Sequence, residues 1–372
     1  NLLVFVLRAM FNAHAGADRQ YENEEVLFMK LGKKIVSMLM AVTTVATMVA
    51  SAGAVGSYSG VNMTNGVARR TLFSDNPESI YSSNSTNGYL TGTTFNANER
   101  MDFEFYHHNY TGATKRFGVV VQNGNSSAVT LTIHNKAIGT SGSSAADELA
   151  MTAPMVRSYF NSSASTVTIP AKSSRFVLYA DVANKLLVNG KLSMTSNKGN
   201  VYARIVYGNT STAASTYFSI TNQEPANGTQ FCGQLNYAQK NVTVNANSTS
   251  AFVLGEWPAP VNGTRPFKNT NEYNTVLSKK SGSANLLGAN YGIPYRVTVT
   301  NASGKRLKIT PNWDGGAKVA NIVMQNAAGT WYTTGNKTSG SWYYALGNTN
   351  SSTFCIVIPG ANYGNIHCEI VS

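Results

Sequence analysis

The chain has 372 residues, 42% of them hydrophobic and only 12% charged, with a formal charge of +12. Globular domains carry about 25% charged residues, so the polarity here comes mainly from Asn, Ser, Thr and Gly, which suit turns and strand faces and are poor in helix interiors. That balance argues against wholesale disorder, a helical bundle, a coiled coil or a cofactor-binding α/β enzyme with long amphipathic helices.

In chain order, the first strong signal begins at Met29. Lys30, Lys33 and Lys34 precede an apolar run over 35–49, and Ala50-Ser51-Ala52 then supplies the small-x-small pattern read by signal peptidase. The run is shorter than the roughly 20 residues a membrane-spanning helix needs. A removable signal peptide over 29–52 is therefore expected, with Ala50 and Ala52 at the cleavage site and no retained membrane span. Residues 1–28 precede that methionine, and the codons of Asn23-Glu24-Glu25 can hold a ribosome-binding sequence. They are expected to be untranslated leader.

Strand-like runs rich in β-branched and aromatic residues follow at 101–108, 117–122, 129–134, 165–169, 175–180 and 201–207. One helix is expected over 147–160, interrupted by Pro154. The small, polar, uncharged stretch 209–215 reads as a linker. Beyond it, further strands are expected at 242–245, 251–256, 295–300, 307–310, 319–324, 330–334, 341–346, 354–358 and 366–371. Many short strands with polar turns predict an all-β protein: two β-sandwich domains, immunoglobulin-like or jelly-roll-like, over 53–208 and 216–372. The pattern 116–123 then 129–133 echoes 295–301 then 307–310, each reading as a hairpin.

Three residue sets could carry chemistry. Asp102, Glu104, Tyr106 and His108 share one strand face by parity, and carboxylates at i and i+2 sit at a spacing used by glycosidase pairs or calcium sites. The plainer reading is a solvent-facing polar stripe. Trp331-Tyr332 and Trp342-Tyr343-Tyr344 bracket a Gly-rich turn and could form a glycan-binding platform; the plainer reading packs them in a core. If Ile358 faces Asn365 across a hairpin, Cys355 and Cys368 stand directly opposed, within disulfide reach. Three cysteines nonetheless allow three single bonds, and that pairing leaves Cys232 over. No P-loop, HExxH, nucleophile elbow or CxxC pair is present, so no catalytic residue, metal or cofactor is expected.

Arg69 to Glu78, the block Phe105-Tyr106-His107-His108-Asn109, and Gly288 to Tyr295 followed by Gly315-Gly316 resemble a set of secreted, wall-associated proteins of spore-forming Gram-positive bacteria. Members often bear a stalk domain named for the N-terminal domain of copper amine oxidases, which this chain lacks. The resemblance implies an extracellular β protein. It does not imply copper oxidase chemistry, because Asn236-Tyr237 and Asn290-Tyr291 continue to Ala238 and Gly292 rather than to an acid.

Function is accordingly expected to be structural: a secreted, non-catalytic protein of a bacterial cell surface, associating with itself into a layer, filament or matrix. The alternative is a carbohydrate-binding module. The scattered basic pairs Arg69-Arg70, Lys115-Arg116, Lys279-Lys280 and Lys305-Arg306 make no nucleic-acid footprint. An anionic wall polymer or polysaccharide suits a cationic exported protein better.

Overall fold

Alternation places the strands. In β5 (Arg100–Tyr110) of a computed structural model of the chain, Met101, Phe103 and Phe105 are fully buried in one core while Asp102, Glu104, Tyr106 and His108 take the other face. The structure describes residues 61–255, 272, 276–311, 319–362, 364 and 366–372. The expected leader and signal peptide, with Ala50 and Ala52, lie outside the described residues.

The first sandwich pairs an eight-stranded with a four-stranded sheet. The larger runs β15 (Val276–Lys279), β12 (Cys232–Tyr237), β2 (Ala68–Ser74), β5, β10 (Leu186–Ser196), β7 (Val129–Ser141), β8 (Ser165–Ile169), with β3 (Ser79–Tyr81) also beside β5. The smaller runs β4 (Gly88–Phe95), β11 (Val201–Asn209), β6 (Lys115–Asn123), β9 (Ser174–Val182). Their inner faces share one core that includes Leu72, Phe103, Phe105, Val119, Leu192 and Ile205.

The second sandwich is built likewise. One sheet runs β1 (Val61–Asn65), β13 (Lys240–Asn245), β16 (Tyr295–Thr300), β21 (Ser351–Val357), β18 (Val323–Gln325), β19 (Trp331–Thr333). The other runs β14 (Ala251–Leu254), β22 (Ile366–Val371), β17 (Arg306–Thr310), β20 (Trp342–Ala345). Val242, Phe252, Val297, Ile309 and Phe354 lie in the shared core.

The chain is thus all-β, as its composition implied, but the stretch 209–215 does not divide it. β1 comes from the N-terminal side and completes a sheet of the second sandwich, pairing antiparallel with β13. β12 comes from the C-terminal side and pairs with β2 in the first. The 209–215 segment itself is tied down, since Asn87 Oδ1 accepts from the Asn209 backbone and from Thr212 Oγ1 at 2.9 and 2.8 Å. All the described residues fall in one compact unit, Ala54–Ser372.

The expected helix is α1 (Ala145–Asn161), and a second, single-turn helix, α2, covers Thr216–Ser219. Ala-rich sequence favours α1, Ser144 caps it by accepting from the Asp147 N–H, and Asp147 and Glu148 suit the positive end of its dipole. It runs through Pro154 rather than stopping there. It lies on β7 and β10 of the first sandwich and touches β18 and β19 of the second, with Ala153, Met155 and Val156 packed beside Val323 and Val357.

Both expected hairpins of the internal echo are instead arches. β6 and β7 belong to different sheets, as do β16 and β17. The same correction applies to the cysteines. β21 and β22 lie in opposite sheets of the second sandwich, so Cys355 pairs across its sheet with Arg296 and Gln325, and Cys368 with Phe252 and Ile309. Cys355 and Cys368 are buried free thiols, not a disulfide.

Candidate functional site

The polar face of β5 was expected to be open to solvent or to line a cleft. It is neither. Asp102, Glu104, Tyr106 and His108 are each buried to more than nine-tenths. α1 and loops of the second sandwich cover them. Arg69 on neighbouring β2 donates from Nη1 to both Asp102 oxygens at 3.2 and 3.0 Å. Lys191 on β10 pairs with Glu104 at 2.6 Å, with its ammonium 5.1 Å from the Tyr159 ring of α1. Over this pair lies Gly292, whose φ is +73°; a Cβ there would stand 1.9 Å from a Glu104 carboxylate oxygen. Only glycine tolerates that backbone and that approach.

Farther along the face, Tyr106 donates its hydroxyl to Glu148 Oε2 of α1 at 3.0 Å, and His108 Nε2 lies 3.5 Å from Glu148 Oε1. Desolvation pushes the Glu148 carboxyl up to about 7, against the Tyr106 hydrogen bond that pulls it down. Burial likewise raises Asp75, Glu78 and Glu104; at Glu104 it outweighs the pull of Lys191. Burial lowers His108. Perturbed groups of this kind mark either active sites or structural ion-pair networks. Here each carboxylate of β5 meets a cation on another strand, Asp102 with Arg69 and Glu104 with Lys191, the geometry of a fastening between elements.

His107 points to the opposite face, as strand parity required. Its Nδ1–H donates to the Pro77 carbonyl at 2.7 Å, which leaves Nε2 to accept from Ser74 Oγ at 3.0 Å. Cys232 Sγ lies 3.7 Å from that hydroxyl. The trio resembles a nucleophile with its base, yet all three are fully buried. Burial takes His107 down to about 3 and the Cys232 thiol up.

The aromatic residues expected to form a platform are dispersed. Trp331 stacks on Phe160 of α1, rings 3.9 Å apart and 9° from parallel. Tyr332, Trp342 and Tyr344 pack against the second core, Tyr344 lying 4.7 Å from Phe354. Tyr343 is exposed, with the Arg306 guanidinium 5.4 Å from its ring. All but Tyr343 are core or interface, because neighbouring rings on short strands must take opposite faces.

Two clefts stand out. One, of about 400 Å³, is lined by Ser85, Asn87, Tyr89 and residues 219–225. The other, of about 440 Å³, lies where β2 and β5 begin and is lined by Arg69, Arg70, Glu99, Arg100, Asn236 and the chain at 67–68. Arg70 is consumed by Glu99, Thr93 and the Thr94 carbonyl. Arg100 bonds only neutral partners, Ser193 Oγ at 2.8 Å and Asn135 Oδ1 at 3.4 Å. In the sequence Arg69-Arg70 stands as an isolated basic pair. The signal the sequence lacks is the parallel register of β2 and β5, which sets Thr71 beside Asp102 and so brings Arg69 next to Arg100.

No protein-family model matches the chain, and no curated protein matches it. Among solved structures, the PBSX exported protein XepA is 8% identical over 79% of this chain and 88% of its own, with a TM-score of 0.17. The CUB1-EGF-CUB2 region of human MASP-1/3 is 7% identical over 77% and 100%, with a TM-score of 0.19. The STIV MCP is 10% identical over 77% and 95%, with a TM-score of 0.14. Likenesses at this level carry no weight for fold or function. No helix among the described residues is long and apolar enough to cross a membrane.

Proposed function

We propose that the chain is a secreted, non-catalytic structural protein of a bacterial cell surface that associates with copies of itself. One observation carries this reading: the carboxylates, histidine and tyrosine on β5 that looked most suited to acid–base work are buried under α1 and the second sandwich, where they fasten layers together. Strands exchanged between the sandwiches add to the same rigidity. The sheets also end in strands such as β8, β9 and β20, and edge strands are natural templates for lateral pairing. The carbohydrate-binding alternative loses the aromatic platform on which it depended.

Electron microscopy and sedimentation of the secreted protein test the reading. Regular assemblies, or sedimentation that rises with concentration, are expected. A strict monomer at every concentration, or glycan hydrolysis abolished by Glu148→Gln, would overturn it.

A further inference from the structure

We propose that the arginine-lined cleft at the start of β2 and β5 binds a phosphate-type oxyanion, presented as the repeating group of an anionic surface polymer. The polymeric form rests on the surface role proposed above; the oxyanion site rests on the cleft alone. Three arginines and Glu99 line it. Glu99 answers Arg70 and Asp102 answers Arg69, at 3.0 Å in the second case. Arg100 bonds only a hydroxyl and an amide, which leaves one cation without an ion pair among the described residues.

The donors are also under-used. Arg69 reaches Asp102 through Nη1 alone, so its Nε and Nη2 have no hydrogen-bond partner among the described residues; Arg100 Nη1 has none either. Asn236, on the wall of the cleft, holds a buried side-chain oxygen without a hydrogen-bond partner, and its Nδ2, which makes no hydrogen bond among the described residues, is the donor it offers. A guanidinium fork fits two oxygens of a phosphate, and such charge-assisted bonds are the strong ones. Burial and the charge of Arg69 act against protonated Arg100, while the nearby Asp102 carboxylate favours it. At about 440 Å³ the cleft falls in the size range of small-molecule sites, roughly 300–1,000 Å³. That is room for an oxyanion together with the groups that link it.

Calorimetric titration of the full chain with inorganic phosphate, and separately with a short linear polyphosphate, tests this. Arg100→Gln removes that guanidinium charge, and Asn236→Asp places a carboxylate in the cleft at constant shape. Either should weaken phosphate binding about tenfold or more, the worth of one or two charge-assisted bonds. Arg116→Gln removes the same charge from the Asp181 pair in the other sheet and should change binding less than about twofold. If Arg100→Gln does not fold, Asn236→Asp decides. Equal weakening by Arg116→Gln and the cleft variants, or no binding of phosphate by the parent chain, would overturn the site. Phosphate bound in the cleft but polyphosphate bound no more tightly would overturn the polymeric form. Sedimentation of the same samples reads self-association independently, so failure of the structural role is seen apart from failure of the site.

Discussion

Burying Glu104 against Lys191 is costly, because both ions lose water and regain it only through each other and their hydrogen bonds. Their side chains are 2% and 4% exposed, so neither can turn to solvent if the other is lost. Lys191→Met should therefore destabilise the protein by about 3–5 kcal/mol, measured by urea unfolding, and Glu104→Gln in the same chain should recover most of that loss. Glu148 gives a pH signature. Its carboxyl is raised from 4.5 to about 7 in the folded protein, so the folded state holds its proton more tightly than the unfolded chain does. The resulting stability is fully present below about pH 4.5 and is lost as pH rises through 7. His107 and His108 act oppositely: both are lowered by burial, and they withdraw stability as pH falls below 6.5. Comparison with Glu148→Gln isolates the carboxyl. From pH 5 to 8 the parent chain should lose stability relative to the variant by about 1 kcal/mol, after discounting for solvent screening at this half-buried group, read from thermal melts at each pH.

The abundance of asparagine has a job at the level of elements: it closes arches between strands. Asn109 Oδ1 accepts from the Thr111 backbone, Asn123 Oδ1 from Asn125 and Asn245 Oδ1 from Asn247, at 3.1, 2.8 and 3.0 Å. Each is an Asx turn, a side chain standing in for a backbone turn. Asn123 is fully buried, and its amide also donates to the carbonyls of Ser127, Ile169 and Pro170. Asn123→Ala should cost about 2–3 kcal/mol by leaving those carbonyls unpaired, with the loss visible as faster hydrogen exchange in β6 and β9. The Asn content announced turns, but not that these turns cross from one sheet to the other; the expected 355–368 bridge failed on that point. Runs of alternating β-branched residues were legible to the residue, as β8, β16 and β22 show. β10 was missed because Asn189-Gly190 imitates a hairpin turn. In the structure Asn189 donates to the Phe105 carbonyl at 2.8 Å, and Gly190 lies under the Phe105 ring, where a Cβ would come within 2.3 Å. The shared face of Asp102, Glu104 and His108 was readable from parity. Its burial was not, because the cover combines α1 with Gly292 and Gly360 from the distant half of the chain.

Strand exchange sets how the whole molecule should respond to being cut. In two independent sandwiches joined by 209–215, cleavage in that stretch would free one half from the other. Here β12 and β15 would remain paired in the sheet of β2, and β1 would remain paired to β13. α1 would add a third tie, with Thr152 Oγ1 donating to the Gly360 carbonyl at 2.9 Å and Phe160 stacked on Trp331. A protease site inserted between Thr210 and Ala214 and cleaved in the folded protein should therefore leave two fragments that co-elute in native buffer and separate only in denaturant. Melting should remain a single transition, because neither sandwich has a complete set of sheets without strands from the other fragment. Adding Phe160→Ala to the nicked protein should lower its melting temperature without releasing the fragments, since the exchanged strands still hold them. Fragments that part in native buffer would mean that the pairings of β1 with β13 and β12 with β2 do not hold the sandwiches together.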